Sequence, residues 1–280
     1  MYRATPATRD AAEDYDLALT KRRRLVVREQ LSNVKRQVLE SYAAYEESHG
    51  LASKLEPLAL DDDAASALKG NYSLTLFGSP LEGIRNQAFA ATRERLCPLC
   101  GKGYAGELDH YLPKELYPEF SILHFNLVPA CERCNHNKRT LIGSAAEGRF
   151  LHPYFDRIPE ADPVLRVMMI VEDRAVVARF SVNEILPYDL RLNASYHFDK
   201  LKLRPLYASG SAIEMIERYG AISKAYRREG AEGVARLAEE SAADMRRQFG
   251  VHYWKVALYD GIAASRAFCD GGFRLLVRAG

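Results

Sequence analysis

Four cysteines form two pairs of identical spacing near the middle of the chain, Cys97 with Cys100 and Cys131 with Cys134. Two such pairs supply the four thiolates of a tetrahedral zinc site, and paired CxxC spacing is a strong zinc signal. Four thiolates leave no position open for water, so we predict a structural zinc ion. The alternative is four unrelated buried thiols. The thirty residues between Cys100 and Cys131 leave room for a hairpin.

A second set of polar residues lies between and beside the cysteine pairs: Asp109, His110, Asn126 and Asn135. Phosphodiester cleavage needs a base to deprotonate water and a cation to neutralise charge on the phosphate. A neutral imidazole suits the first task near pH 7, and carboxylate and amide oxygens are hard ligands for Mg²⁺. Because adjacent strand residues point to opposite faces, Asp109 and His110 serve one site only at a strand end or a bulge.

Each of these residues also has a structural interpretation. Asp109 and His110 are then a surface dipeptide, and Asn135 is then the N-cap of a helix, a position that Asn favours. Asn126 is structural under either interpretation.

Residues 96–142 resemble the HNH nuclease motif, also called the His-Me or ββα-metal finger. In that family a two-stranded hairpin and a helix hold one divalent ion, and many members carry two CxxC zinc knuckles. The resemblance implies that His110 is the general base, and that Asp109 and Asn135 bind catalytic Mg²⁺ or Mn²⁺. It also implies that Asn126 braces the loop between the strands, and it matches Lys138 to a basic residue one turn further along the helix.

Three basic residues near this motif are candidate nucleic-acid contacts: Lys114, Lys138 and Arg139. For Lys138 and Arg139 the alternative is the solvent-exposed face of a helix. The run Lys21–Arg24 has the same two interpretations, a solvated face or a patch that follows a phosphate backbone. The formal net charge is only +2, which excludes a polycation that coats nucleic acid by bulk electrostatics.

The elements that must position these residues can be predicted from hydrophobic spacing. We expect helices over about residues 16–47, 61–70 and 80–95, and a hairpin formed by 164–171 and 175–182. From about 190 to 268 we expect several helices, broken at Gly210, Gly220, Gly230 and Gly250. Together these elements predict an α+β fold with mostly α-helical flanks and a C-terminal β-hairpin. The resemblance implies that a zinc-stapled ββα-metal HNH finger is embedded between the flanks.

The predicted regions are 1–95, helical; 96–143, the HNH finger; and 144–280, the hairpin with further helices. No window approaches eighteen consecutive apolar residues, and the N-terminus lacks the apolar region of a secretory signal. We therefore expect no membrane partner. Cysteines paired for metal indicate a reducing compartment, the cytoplasm. The fifth cysteine, Cys269, is predicted to be a small buried hydrophobe.

The sequence thus predicts a metal-dependent HNH endonuclease that hydrolyses DNA, with RNA as the alternative substrate. The arrangement is similar to bacterial phage-defence HNH proteins, which implies an operon-encoded ATPase or sensor protein as a partner. The competing hypothesis is a non-catalytic zinc module that binds nucleic acid or a partner protein. Such a module needs the cysteines, but it does not need Asp109, His110 and Asn135 together.

Overall fold

The computed structural model describes residues 1–277, which fall into two compact units. One unit contains Arg3–Arg157, and the other contains Met1–Tyr2 together with the chain from Ile158 onward. The predicted finger, residues 96–143, therefore lies in the same unit as the N-terminal helices. The limits of the three regions predicted from the sequence, between residues 95 and 96 and between residues 143 and 144, stay a prediction.

The first unit begins with two helices, α1 (Ala11–Lys21) and α2 (Leu25–Ser48). The single helix predicted over 16–47 was wrong, because residues 22–24 are not helical and both Arg22 and Arg24 have extended backbone angles. The break lets the two helices pack together, with the Tyr15 hydroxyl donating to the carbonyl of Leu31. The hydrophobic periodicity continues through this basic run, but tertiary packing breaks the helix there.

Two shorter helices follow, α3 (Asp62–Asn71) and α4 (Glu82–Ala90). The predicted start of α3 is confirmed, since the Asp61 carboxylate caps the helix by accepting from Ala64 N at 2.7 Å. The helix predicted over 80–95 was too long, because α4 ends at Ala90 and Thr92 has extended backbone angles. Short 3-10 turns connect these elements at Ala52–Lys54, Tyr72–Thr75, Arg93–Arg95 and Pro118–Phe120.

The middle of this unit contains a hairpin and a helix: β1 (Glu107–His110), β2 (Leu127–Ala130) and α5 (Glu132–Lys138). The strands are antiparallel, with Glu107 opposite Ala130 and His110 opposite Leu127. The hairpin that the cysteine spacing allows is therefore present between Cys100 and Cys131. The end of the hairpin next to the connector packs into an apolar cluster formed with α1, the start of α4 and the connector: Ala18, Leu81, Ile84, Ile122 and Leu127.

The second unit contains the predicted C-terminal hairpin, β3 (Leu165–Glu172) and β4 (Ala175–Val182), in regular antiparallel register. Five helices and a 3-10 turn follow: α6 (Tyr188–Lys200), α7 (Leu203–Glu217), α8 (Tyr219–Phe249), α9 (Trp254–Ala263), α10 (Arg266–Cys269) and Gly272–Leu276. Helix α9 packs closely on β3, since a Cβ on Gly261 would lie 2.8 Å from Val167. Cys269 is buried, as predicted.

The four glycine breaks had different outcomes. Gly250 ends α8, and Gly230 has φ +62° at a kink inside that helix. Gly220 lies in the first turn of α8, two residues after the break between α7 and α8. The break at Gly210 was wrong, because Gly210 is buried inside α7, where packing outweighs the helix cost of about 1 kcal/mol for a glycine.

In the described part of the chain the architecture is α+β, mostly helical, with two separate two-stranded sheets. Across residues 1–277, every helix is too short or too polar to cross a bilayer.

Candidate functional site

The four predicted zinc ligands meet in one buried cluster. The sulfur atoms of Cys97, Cys100, Cys131 and Cys134 all lie within 4.8 Å of one another, and Cys100 Sγ is 3.9 Å from Cys131 Sγ. A tetrahedral ion with Zn–S bonds of about 2.3 Å places its sulfurs about 3.8 Å apart. The number, chemistry, burial and spacing of these thiols therefore fit a structural zinc ion.

Two glycines shape the first cysteine pair into a metal-binding turn. Gly101 has φ +63°, and its N–H donates to the Cys97 carbonyl. Gly103 donates its N–H to Cys100 Sγ at 3.3 Å, and a Cβ at Gly103 would lie 2.7 Å from Cys131 Sγ. The backbone must pass this close to the sulfurs, so a larger residue than glycine does not fit at position 103.

The cysteine cluster joins the hairpin to the helix, because Cys131 immediately follows β2 and Cys134 lies within α5. Alternation along β1 puts Glu107 and Asp109 on one face of the strand. Helix α5 covers that face, since Asn135 contacts Glu107 and Lys138 contacts Asp109. Asn135 is the fourth residue of α5 and Cys131 occupies the N-cap position, so the N-cap interpretation of Asn135 was wrong.

Asp109 is buried and forms an ion pair with Lys138. The Lys138 ammonium lies 3.2 Å from Asp109 Oδ2 and also donates to the carbonyl oxygen of His110 at 2.6 Å. Burial raises the pKa of Asp109, and the charge of Lys138 opposes that shift. Lys138 is itself only 2% exposed, so its assignment to the solvent-exposed face was wrong. A direct contact of Lys138 with phosphate stays a prediction, and the burial of its side chain does not favour that contact.

His110 is the last residue of β1, and the strand pairing is regular up to it, so a strand end rather than a bulge separates it from Asp109. Its Nε2 lies 3.0 Å from the Ser121 carbonyl oxygen. A carbonyl only accepts, so Nε2 carries the proton in the neutral ring and Nδ1 keeps a lone pair. The ring packs against Tyr72, with centroids 4.7 Å apart, and the Tyr72 hydroxyl donates to the carbonyl of Leu108.

Burial lowers the pKa of His110 to about 3; the hydrogen bond with Ser121 opposes this shift, and the charges of Lys114 and Lys138 add to it. The imidazole is therefore neutral at physiological pH. Lys138 lies close to both residues, since its ammonium contacts the Asp109 carboxylate and the His110 carbonyl. The structure thus gathers Asp109, His110 and Lys138 at one end of β1.

Asn126 is fully buried and holds the connector between the strands. Its Oδ1 accepts from Leu112 N at 2.7 Å, and its Nδ2 donates to the carbonyls of Leu112 and Phe120. These contacts hold the connector at Leu112 and at Phe120, the residue before Ser121, which is the partner of His110. Asn126 therefore has a structural position, as both interpretations expected.

The support of Asn126 by two distant residues was not predicted. The Tyr45 hydroxyl, on α2, donates to Asn126 Oδ1 at 3.0 Å and lies 3.2 Å from His152 Nε2. Because His152 Nδ1 accepts from Tyr154 N, its Nε2 carries the proton and donates to Tyr45. The segment 150–156 is rich in aromatic residues, which carries no signal for this contact. The position of His152 between Leu151 and Pro153 gave no further signal.

The remaining predicted residues lie at different distances from this network. Lys114 is partly buried, with its ammonium 4.6 Å above the Tyr72 ring that packs on His110. Arg139 is exposed after α5 and donates to the backbone carbonyl of His136. Glu107, which the sequence analysis did not single out, accepts from Asn135 Nδ2 at 2.7 Å. Its position two residues before Asp109 on a strand is the signal that would have identified it.

Comparison with known proteins gives one partial similarity. A stretch of 63 residues is 41% identical to protein ea31 of Escherichia phage lambda, and covers 22% of this chain and 21% of ea31. The chain thus matches about a fifth of the length of that protein. No family model and no solved structure matches the chain. The site is therefore characterised by its own geometry, a buried four-thiol cluster that joins a hairpin to a helix.

Proposed function

We propose that this chain is a metal-dependent HNH endonuclease that hydrolyses phosphodiester bonds in DNA. The observation that carries the proposal is the state of His110, a buried neutral imidazole whose Nε2–H is anchored on Ser121 and whose Nδ1 has a lone pair. A general base needs that state, and the neighbouring residue Asp109 supplies the carboxylate that the proposal assigns to the metal.

In this proposal Asp109 and the Asn135 amide oxygen hold Mg²⁺ or Mn²⁺, since both are hard oxygen donors. When bound, the ion neutralises charge on the phosphate and on the leaving 3′ oxygen. His110 Nδ1 takes the proton of the attacking water, and the Ser121 carbonyl stabilises the imidazolium that forms. A bound phosphate is anionic, so it raises the pKa of His110 towards the range of an effective base. The expected products carry 5′-phosphate and 3′-hydroxyl ends.

The site also suggests how substrate is held. Lys114, above Tyr72 and near His110, is the basic residue best placed to contact a phosphate beside the scissile bond, and Arg139 provides a second, exposed contact. The zinc ligands must stay reduced to bind metal, which fits a cytoplasmic protein. An antiviral role and an operon-encoded ATPase or sensor partner rest on the sequence resemblance alone.

The test is cleavage of supercoiled plasmid by zinc-loaded protein with Mg²⁺, Mn²⁺ or EDTA, with single-stranded RNA as a second substrate. His110→Ala should lower the cleavage rate about 10²- to 10⁴-fold while the zinc content is unchanged. His49→Ala, which removes an exposed histidine outside the finger, is the matched control and should cleave like the wild-type protein.

Full activity of His110→Ala in a preparation free of contaminating nuclease would contradict the assignment of the base. Plasmid binding without cleavage, by the chain assembled with its operon neighbours, would favour the non-catalytic zinc module.

A further inference from the structure

The contact between Asn135 and Glu107 fixes the orientation of the Asn135 side-chain amide. A side-chain amide has one oxygen and one NH₂ group, and a cation binds only the oxygen. Asn135 Nδ2 donates to Glu107 Oε2 at 2.7 Å, and a carboxylate oxygen is an acceptor for an amide NH₂ group. The NH₂ end must therefore face Glu107, and Oδ1 points away from it.

The same strand and helix carry a second contact of this kind. Glu107 and Asp109 are two residues apart on β1, about 6.6 Å along the strand. Asn135 and Lys138 are three residues apart on α5, about 4.5 Å along the helix. Two parallel rungs, Glu107–Asn135 and Asp109–Lys138, thus connect β1 to α5. Both proposed metal ligands, Asp109 and Asn135, are held by a partner on the opposite element.

We propose that Glu107 is a positioning residue, which holds the Asn135 amide so that Oδ1 rather than Nδ2 is presented to the divalent ion. The inference rests on the proposed function and deepens it. Without Glu107, this partly buried amide can present its NH₂ group, whose positive end repels a cation. Partners that orient a metal ligand in this way contribute about 10- to 100-fold to metal affinity.

The test uses an aspartate at position 135, because a carboxylate has two equivalent oxygens and needs no orientation. Mn²⁺ binding to zinc-loaded protein is measured from the EPR signal of the free ion, without nucleic acid. The variants are Glu107→Met, Glu107→Gln, Asn135→Ala, Asn135→Asp and the double variant Glu107→Met/Asn135→Asp. Methionine keeps the length of the side chain but has no oxygen. Glu132→Ala removes an exposed carboxylate from α5 and controls for the lost charge.

Glu107→Met should weaken Mn²⁺ binding about 10- to 100-fold relative to Glu132→Ala. Glu107→Gln keeps an acceptor oxygen for Asn135 Nδ2 and should bind Mn²⁺ more tightly than Glu107→Met. In the Asn135→Asp background, removing Glu107 should not weaken binding, since no amide remains to be oriented. Zinc content and far-UV circular dichroism check that each variant is folded.

Two results would overturn the inference while the proposed function stands. One is Mn²⁺ binding by Glu107→Met that equals binding by Glu132→Ala. If Glu107→Met loses its zinc, the deciding variant is Glu107→Gln, and Mn²⁺ binding by Glu107→Gln as weak as binding by Asn135→Ala overturns the inference. The other is equal weakening by Glu107→Met in the wild-type and Asn135→Asp backgrounds, which would make Glu107 a ligand itself. Failure of the wild-type protein to bind Mn²⁺ would instead remove the proposed metal site, and this inference with it.

Discussion

Replacing Lys138 by methionine is the perturbation for which the structure gives the clearest magnitude. The substitution keeps most of the apolar stem and removes the ammonium group. Lys138 and Asp109 are 2% and 9% exposed and lie 3.2 Å apart, so the charge left on Asp109 would be buried without its partner. Removing one member of a buried ion pair costs about 3–5 kcal/mol. The carbonyl of His110 also loses a donor, which places the expected loss in the upper part of this range.

Hydrogen exchange of the zinc-loaded protein measures this loss where it arises. Amides of β1, β2 and α5 should open with a free energy about 3–5 kcal/mol lower in Lys138→Met than in the wild-type protein. Lys54→Met is the matched control; it removes an exposed lysine from the same unit and should change stability by no more than about 0.5 kcal/mol.

A second substitution separates the ion pair from the packing of the lysine stem. Asp109→Asn removes the buried charge, so Lys138→Met/Asp109→Asn should recover about 1–3 kcal/mol of the loss in Lys138→Met. Two results would refute the reasoning: a loss in Lys138→Met no larger than in Lys54→Met, or a double variant no more stable than Lys138→Met.

Three further predictions concern the supports of the site. Burial alone would raise the pKa of Asp156, but hydrogen bonds from Arg149 outweigh burial and hold this pKa below its usual range. The contribution of Asp156 to stability is therefore present above its unfolded-state pKa and is lost as the pH falls through its lower folded-state pKa. Asp156→Asn should therefore cost about 1.5–3 kcal/mol in urea unfolding at neutral pH and little in strong acid; an equal cost at both would contradict the linkage. Tyr45→Phe leaves the buried Nε2–H of His152 without its acceptor and should cost about 1–3 kcal/mol in the same assay, against no change for the exposed Tyr188→Phe. Removing zinc with a chelator should abolish exchange protection in β1, β2 and α5 together with cleavage, and unchanged protection in metal-free protein would show that zinc does not hold the hairpin to the helix.

Features fixed by local chemistry could be predicted from the sequence. The CxxC spacing predicted the thiol cluster, Asp61 predicted the start of α3, and the β-rich runs at 164–171 and 175–182 predicted β3 and β4. In each of these cases, residues close together in the chain determine the result. The contact between the two cysteine pairs is long-range, but it could be predicted because a structural zinc ion takes four ligands.

Features decided by tertiary contacts could not be predicted in this way. Tyr45 meets Asn126 across 81 residues of chain and His152 across 107, and no periodicity reports such a contact. The helical spacing over 16–47 continued through Arg22–Arg24, although packing breaks the helix there. Lysine is a residue type that usually lies at the surface, and the burial of Lys138 is favourable only because its ammonium contacts Asp109 and the His110 carbonyl.

The central claim is that a zinc-joined hairpin and helix bring Asp109, His110 and Asn135 around one hard cation. Crystals grown with Mn²⁺ test it most directly, through anomalous diffraction recorded at the zinc and manganese absorption edges. We expect a zinc peak among the four cysteine sulfurs and a manganese peak bonded to an Asp109 carboxylate oxygen and to Asn135 Oδ1, with His110 Nδ1 facing the same space. A manganese peak bound elsewhere, or ordered crystals with no manganese beside Asp109 and Asn135, would contradict the proposed catalytic site.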